Sequence, residues 1–528
     1  MSDVKQEVVN GDLILGIELG STNIKGVLIS KSNQFITSSS WGWEGKQIDG
    51  IWTYDLADVF TGIQSVYKNI KQNIMEKYDH KLTTLQSIGF SGMMHGYIPF
   101  DKDGQQLVRF RTWRNTFTKE AAEALTELFD FVIPERWSIA HLYQAILNKE
   151  SHVQDVDFMT TLSGYVHWML TGEKCLGLCE ASGMFPIDTK TAEYNDVMVR
   201  KFEDLVMLEG LDINLKSILP EPKIAGSGAG FLTKNGAKLI DPEGDLIHNI
   251  PMCPPEGDGC TGMIATNSVK PRTGNVSAGT STFAIIVLEK AIAKRYEEIE
   301  TLVSPNNFPV AMVHTINCSV EYGDWINLFA EVVQTLGIDI DKGELFTKIV
   351  QTADDSDFDC GSLLAYGYHA GEHITGFEAG RPLFTRLSGE GFNLGNFMRA
   401  QLYTCICALR TGMDTLYKEG VEIDVMNGHG GFFKTPGTAE RIMSAALDVP
   451  ITVYESASEG GAWGIAILAS FMMNGSLYSL PDFLNQFFVD SKVKTAEAGQ
   501  DEKEGFQKFL KRYHDGLPIE RAAVDNLK

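Results

Sequence analysis

Gly16-Ile17-Glu18-Leu19-Gly20-Ser21-Thr22-Asn23-Ile24-Lys25-Gly26-Val27-Leu28-Ile29 opens the chain as two apolar runs hinged on a glycine and a hydroxyl-rich triad. A second stretch, Asn275-Val276-Ser277-Ala278-Gly279-Thr280-Ser281-Thr282-Phe283-Ala284-Ile285-Ile286-Val287-Leu288, repeats the design past the middle of the chain. Aligning Gly20 with Gly279 sets Ser21-Thr22-Asn23 over Thr280-Ser281-Thr282. Each stretch reads as a hairpin whose tight turn exposes backbone N–H groups and hydroxyls. Such a turn is a nest for phosphate oxygens. One of them is ordinarily just a turn. Two, at matching places in two half-chains, indicate a duplicated nucleotide-binding fold with a cleft between the halves.

Working outward, the 528 residues are 44% apolar, enough to bury large cores and to divide into two or more domains. A net charge of −24 argues against nucleic acid or an anionic membrane as partner. It does not forbid a nucleotide, which a local nest can hold on an acidic protein. The polar start from Met1 to Asp12 has no secretory apolar core, and the apolar run from Gly460 to Met473 is short and glycine-broken. The expectation is a cytoplasmic protein without membrane spans. Its eight cysteines form no C-x-x-C unit, so zinc or thioredoxin chemistry is not expected and reduced, packed thiols are. Cys260 is read as a small buried residue rather than a nucleophile.

The pattern is mixed α/β throughout. Leu56, Val59, Phe60, Ile63, Val66, Tyr67, Ile70 and Ile74 recur at helical steps, with Asp55 or Thr53 as N-cap. A short buried strand over Gln86–Phe90 runs into Ser91-Gly92-Met93-Met94-His95-Gly96. Helices are expected at 119–131, 136–148 and Tyr165–Leu170. After a restart near Lys270-Pro271-Arg272 come the second hairpin, a strand at Ala311–Ile316 and helices from Trp325 to Leu336 and Leu394 to Tyr417. A strand at Ile423–Met426, Gly428-His429-Gly430-Gly431-Phe432-Phe433-Lys434, a helix at 438–447, a strand at Ile451–Tyr454 and an apolar helix at 460–473 complete the set. Beyond about 495 the chain is polar, with a helical tail.

Four stretches in this order resemble the FGGY carbohydrate kinases: Gly16–Lys25, Met93-Met94-His95-Gly96, Glu256-Gly257-Asp258-Gly259 followed by Gly279-Thr280-Ser281, and Gly428–Lys434. The resemblance spans roughly residues 13 to 475. It implies an α/β fold of two duplicated ribonuclease H-like lobes, the actin/hexokinase-like ATPase arrangement, around a central cleft. The expected division is a sugar-binding lobe at 13–268, an ATP-binding lobe at 269–475 and a helical tail at 476–528. Met-His-Gly is similar to the xylulokinase branch, and the whole pattern with Trp113-Arg114-Asn115-Thr116 also looks like L-ribulokinase-like proteins. The xylulokinase pattern has Trp followed by Asn-Asp. Arg114-Asn115 removes a carboxylate and adds a cation.

The chemistry asks for a carboxylate to accept the proton of a poorly nucleophilic sugar hydroxyl, and for metal or cations on the moving phosphoryl group. Asp258, flanked by Gly257 and Gly259 and about twenty residues before the second phosphate loop, is the candidate base, and the family's matching aspartate has that role. An Asp-Gly turn closing a strand is the plain structural alternative. Glu18, one strand position before the first turn, is placed to hold Mg2+, through water where the family usually has aspartate. Ser21, Thr22, Asn23 and Lys25 in the first loop and Gly279, Thr280 and Ser281 in the second are the phosphate contacts. The resemblance makes Met94 and His95 the sugar-contacting pair, an imidazole for hydroxyl or carbonyl and a thioether for the apolar edge. Trp113 is the stacking candidate. Gly430 and Gly431 fit an adenine-side patch, with Lys434 as a ribose or base contact.

The reading is therefore an ATP- and Mg2+-dependent kinase forming the 5-phosphate of a ketopentose such as L-ribulose or D-xylulose. A kinase for another sugar, polyol or aldonate stays open, as does a nucleotide-gated sugar sensor of the same fold. The expected partners are the sugar and ATP, with no nucleic acid and no membrane. The sequence is silent on assembly, a homodimer being the one entertained.

Overall fold

The computed structural model describes residues 2–389, 391–454, 460–474, 477–488 and 493–528. They form two compact units. Unit 1 comprises the described residues within 1–269, 301–310 and 459–490, and unit 2 those within 270–300, 311–458 and 491–528.

Unit 1 is built on a five-stranded sheet of β1 (Leu13–Leu19), β2 (Asn23–Ser30), β3 (Phe35–Gly42), β4 (Ser87–Gly92) and β5 (Glu256–Gly257), in the order β5-β4-β1-β2-β3. The first hairpin is antiparallel, with Glu18 opposite Lys25 and Leu19 opposite Ile24. β4 and β5 then add in parallel. Strands β1 and β4 are buried almost throughout, as parallel central strands must be. The helix Leu56–Tyr78 covers one face through the apolar stripe read from its spacing, and Asp55 caps it by accepting the Ala57 N–H at 2.9 Å.

The helix Gly460–Asn474 covers the other face, and its residues Gly461–Phe471 are buried on every side. It lies so close that a Cβ on Gly16 of β1 would meet the Ala462 carbonyl at 2.1 Å. The sequence division places this helix with the second half, whereas by packing it belongs to unit 1.

Unit 2 repeats the plan with β6 (Thr273–Ala278), β7 (Thr282–Val287), β8 (Pro309–Thr315), β9 (Val425–His429), β10 (Ile451–Tyr454) and β11 (Val493–Ala496). The order β8-β7-β6-β9-β10 mirrors β3-β2-β1-β4-β5: an antiparallel hairpin at the centre, then two parallel strands. β11 extends it antiparallel. The duplication inferred from two glycine turns is thus a duplication of whole sheets. The helix Leu394–Lys418 is the buried spine of this unit, and Gln500–Asn526 packs Phe506, Phe509, Leu510 and Tyr513 into the same core. The polar tail is therefore a 27-residue amphipathic helix whose apolar positions are sparse but correctly spaced.

Candidate functional site

In unit 1 the chain of β5 turns directly into a helix at Asp258 (Asp258–Ala265). That start points backbone N–H groups at the Asp258 carboxylate. Gly259 donates to Oδ1 at 2.8 Å, and the Met94 amide also favours the charged carboxylate. Burial nevertheless dominates and holds the Asp258 carboxyl above the ordinary aspartate range. Gly257, just before it, has no room for a side chain. A Cβ there would lie 2.2 Å from Met94 Cγ and 2.3 Å from Glu180 Oε2.

His95 follows with φ 66°, a left-handed conformation unusual for a non-glycine residue. Its Nδ1 lies 3.0 Å from the Gly183 carbonyl, which can only accept, so Nδ1 carries the proton. The ring stacks on Trp137 at 6.2 Å. The motif Met94-His95 is thus tied to the Asp258 turn through Met94 and to the short helix Leu178–Ser182 through Gly183.

Glu18 leaves the end of β1 toward the first turn of the helix Gly460–Asn474, where Oε2 accepts the Ala462 N–H at 3.3 Å and Gly461 contributes a second N–H. Burial and then the charge of Asp258 push its carboxyl up to about 7, against the pull of those amides and of Lys25. The first loop is braced by three aromatic side chains. Trp43 Nε1 donates to the Gly20 carbonyl at 2.7 Å, the Tyr54 hydroxyl to the Ser21 carbonyl at 2.6 Å, and Trp113 Nε1 to Ser21 Oγ at 3.3 Å. Thr22 and Asn23 stand exposed at the tip, their side chains joined at 3.0 Å. Trp113 is therefore placed beside the phosphate loop. Arg114 stacks at 4.5 Å over Trp52.

Unit 2 brings its own predicted residues together. The turn Gly279–Ser281 closes with the Gly279 N–H donating to the Ser281 carbonyl at 2.9 Å. It is anchored by Ser319, whose N–H and hydroxyl reach the Gly279 carbonyl at 3.0 and 2.6 Å. Beside it Gly430 adopts φ 102°, and a Cβ there would strike the Ala278 carbonyl at 2.4 Å. Gly431 begins a single 3-10 turn that ends at Lys434. Lys434 lines a cavity of about 600 Å3 with Gly323, Ile326 and Phe346, between the helices Val320–Thr335 and Lys342–Gln351.

Two features escape the sequence reading. Glu180 is wholly buried against Gly257, and no motif marks it. Cys179 and Cys260 are bridged, which corrects the expectation of reduced thiols throughout; the other six cysteines are free and buried. The pair is 81 residues apart, so only the fold brings it together.

Comparison with known proteins shows the family. Residues 13–240 match the N-terminal domain, and residues 274–473 the C-terminal domain, of the FGGY family of carbohydrate kinases. A Haemophilus influenzae xylulose kinase is 21% identical over 396 residues, 73% of this chain and 75% of that protein. A ligand-bound xylulose kinase structure from Lactobacillus acidophilus superposes with a TM-score of 0.78 at 17% identity, covering 97% of this chain and 99% of that one. A gluconate kinase structure from the same organism also gives 0.78, at 18% identity over 97% and 98%. Among the described residues no helix is long and apolar enough to cross a membrane.

Proposed function

The chain belongs to the FGGY family of carbohydrate kinases, with the two-lobe actin/hexokinase-like ATPase fold, and from that premise we propose that it phosphorylates the 5-hydroxyl of a ketopentose such as L-ribulose or D-xylulose. As a family member it is a sugar phosphotransferase that uses ATP. The observation that carries the proposal is the packing of the Asp258 turn on Met94, whose Cγ leaves no room for a side chain on Gly257 and whose Sδ lies 3.9 Å from Cys260 Sγ, which sets a buried carboxylate beside the Met-His-Gly stretch.

In this reading residues 13–268 supply the sugar side, 269–475 the nucleotide side, and 476–528 a helical tail. His95 presents its Nε2 edge to a sugar oxygen because Nδ1 is committed to Gly183. Met94 lines the apolar edge, and Trp113 closes the sugar side next to the first loop. Asp258 accepts the proton of the attacking hydroxyl. The Gly259 amide holds it in place, and burial raises its proton affinity above that of an ordinary aspartate, as a base requires. Ser21, Thr22, Asn23 and Lys25, with Gly279, Thr280 and Ser281, supply donors for phosphate oxygens. Gly430 and Gly431 let a flat base approach backbone, and Lys434 meets the ribose or base at the cavity.

The donor chemistry of Glu18 fits Mg2+. It is a carboxylate whose charge is opposed by burial and by Asp258, a conflict that a hard cation relieves. Glu18 would hold the ion, through water, and the ion would offset charge on the transferring phosphoryl group.

The matches at equal TM-score to a xylulose kinase and a gluconate kinase leave substrate choice to side chains. The test is ADP release from Mg-ATP with L-ribulose, D-xylulose, D-ribulose, L-xylulose, D-fructose, glycerol and gluconate. A ketopentose giving the highest kcat/KM supports the reading, and gluconate or glycerol leading the panel contradicts it.

A further inference from the structure

Cys179 and Cys260 sit on either side of three crowded carboxyl groups. Cys179 lies in the short helix Leu178–Ser182 and Cys260 in the first turn of the helix that begins at Asp258. Glu180, next to Cys179, is 0% exposed, and neither of its carboxyl oxygens makes a well-formed hydrogen bond. Glu256, two residues before Asp258, accepts the Glu180 N–H at 2.9 Å through Oε2 while Oε1 has no partner. Burial, then the charges of Asp258 and Glu256, drive the Glu180 carboxyl well above the usual range, with the Thr161 hydroxyl opposing. Three acidic groups packed this closely repel whenever they ionise.

The turn that carries Asp258 has little local support of its own. Its helix contains Gly259 and Gly262, each about 1 kcal/mol poorer than alanine as a helix former. Its N-cap is Gly257, which offers no side-chain cap. Eight residues are also too few for a helix to stand without packing. The covalent link ties the Glu180 helix to the Asp258 turn beyond the hydrogen bond from the Glu180 N–H to Glu256.

We propose that the Cys179–Cys260 bridge is a positioning cross-link for Asp258, holding the base turn against the Glu180 helix with Glu180 sealed from water between them. This rests on the assignment of Asp258 as the base. Without the bridge, the Glu180 helix and the Asp258 turn part, water reaches Glu180, and Asp258 loses its alignment with Met94. Forming the bridge removes two electrons and two protons from the two thiols. A disulfide reagent such as oxidised glutathione takes them up as two thiols, and dithiothreitol reverses the step by forming its own ring disulfide.

The experiment compares bridged protein, dithiothreitol-reduced protein and the double variant Cys179→Ser/Cys260→Ser. Peptide mapping after alkylation should recover a linked 179–260 pair from the bridged protein. Hydrogen exchange of the segment 256–265 should run at least tenfold faster in both unbridged forms. With D-xylulose or L-ribulose as probe, kcat should drop about tenfold while KM for ATP stays within twofold. Adding Glu180→Gln to the double variant should restore at least half of the lost rate by removing the charge that Glu180 gains once water reaches it, an effect that a merely structural bridge would not produce. Unchanged exchange on reduction, or a double variant with full kcat, overturns the proposal, as does recovery of both cysteines as free thiols from active protein. If no sugar is turned over in any form, the kinase reading of the substrate fails, and the exchange comparison still decides the cross-link. Reduced wild-type protein serves if the double variant does not fold.

Discussion

The backbone amide of Met94 favours the charged carboxylate of Asp258, and its side chain packs on the same turn, with Sδ 3.9 Å from Cys260 Sγ. One residue thus joins the end of β4 to the start of the Asp258 helix, so the residue that meets the sugar's apolar edge also orients the base. Any change that moves the 93–96 turn is then felt at Asp258 without touching it.

Gly257 tests that coupling. A methyl group there meets Met94 Cγ at 2.2 Å and Glu180 Oε2 at 2.3 Å, so the half-buried Met94 and the wholly buried Glu180 must both shift. Gly257→Ala should cost about 1–3 kcal/mol of stability, the usual range for overpacking. It should also lower kcat more than it raises KM for ATP. Melting curves and steady-state kinetics on the same preparation check both.

The first loop depends on its aromatic bracing. The Tyr54 hydroxyl donates to the Ser21 carbonyl at 2.6 Å, and Tyr54→Phe removes only that bond. A net loss of about 1 kcal/mol is expected, seen as a fivefold or so fall in kcat/KM for ATP. Equal kinetics in the variant would show that the loop holds its shape without Tyr54.

Glu256 gives a pH signature. Burial raises its carboxyl from 4.5 to about 8, against the pull of the amides of Glu180, Cys179 and Gly257. The folded protein therefore keeps a proton that the unfolded chain has released. Its stabilising contribution is full below the unfolded value and is lost as pH rises through about 8. Glu256→Gln should flatten the decline in unfolding free energy between pH 5 and 8, measured by urea titration. An identical pH slope in wild type and variant would contradict this.

Lys434 is exposed at the mouth of the unit 2 cavity. If it meets the nucleotide there, Lys434→Ala should raise KM for ATP by up to about tenfold, as expected for one charge-assisted hydrogen bond. KM for the sugar should not change. The opposite pattern would remove Lys434 from the nucleotide site.

Much of this was legible in the sequence because it rests on local signals. The paired Gly-Ser-Thr turns mark the centres of both sheets, since a hairpin turn needs a glycine hinge wherever the chain stands. The helix Leu56–Tyr78 followed from spacing, and of its two candidate caps, Asp55 and Thr53, the structure uses Asp55. What stayed hidden depends on long-range packing. The helix Gly460–Asn474 joins the first unit because Gly16 leaves a groove that Ala462 fills, a contact between residues some 446 positions apart. The strand Phe35–Gly42, with its run of serines, carries no apolar alternation to reveal it. The tail helix was expected, but the apolar face that packs it into the unit 2 core hid behind its charges. Glu180 sits in no motif, and the Cys179–Cys260 pair became visible only once the Asp258 helix was folded against its neighbour.

The most direct test of the central claim is Asp258→Asn, assayed for sugar-dependent ADP release alongside nucleotide binding by calorimetry. The variant keeps the size of the side chain and one acceptor oxygen for the Gly259 amide, and it removes the proton-accepting charge. The account predicts a fall in kcat of at least about 10²-fold, the low end of general-base effects, with ATP affinity within twofold of wild type. Normal turnover in Asp258→Asn would contradict the account.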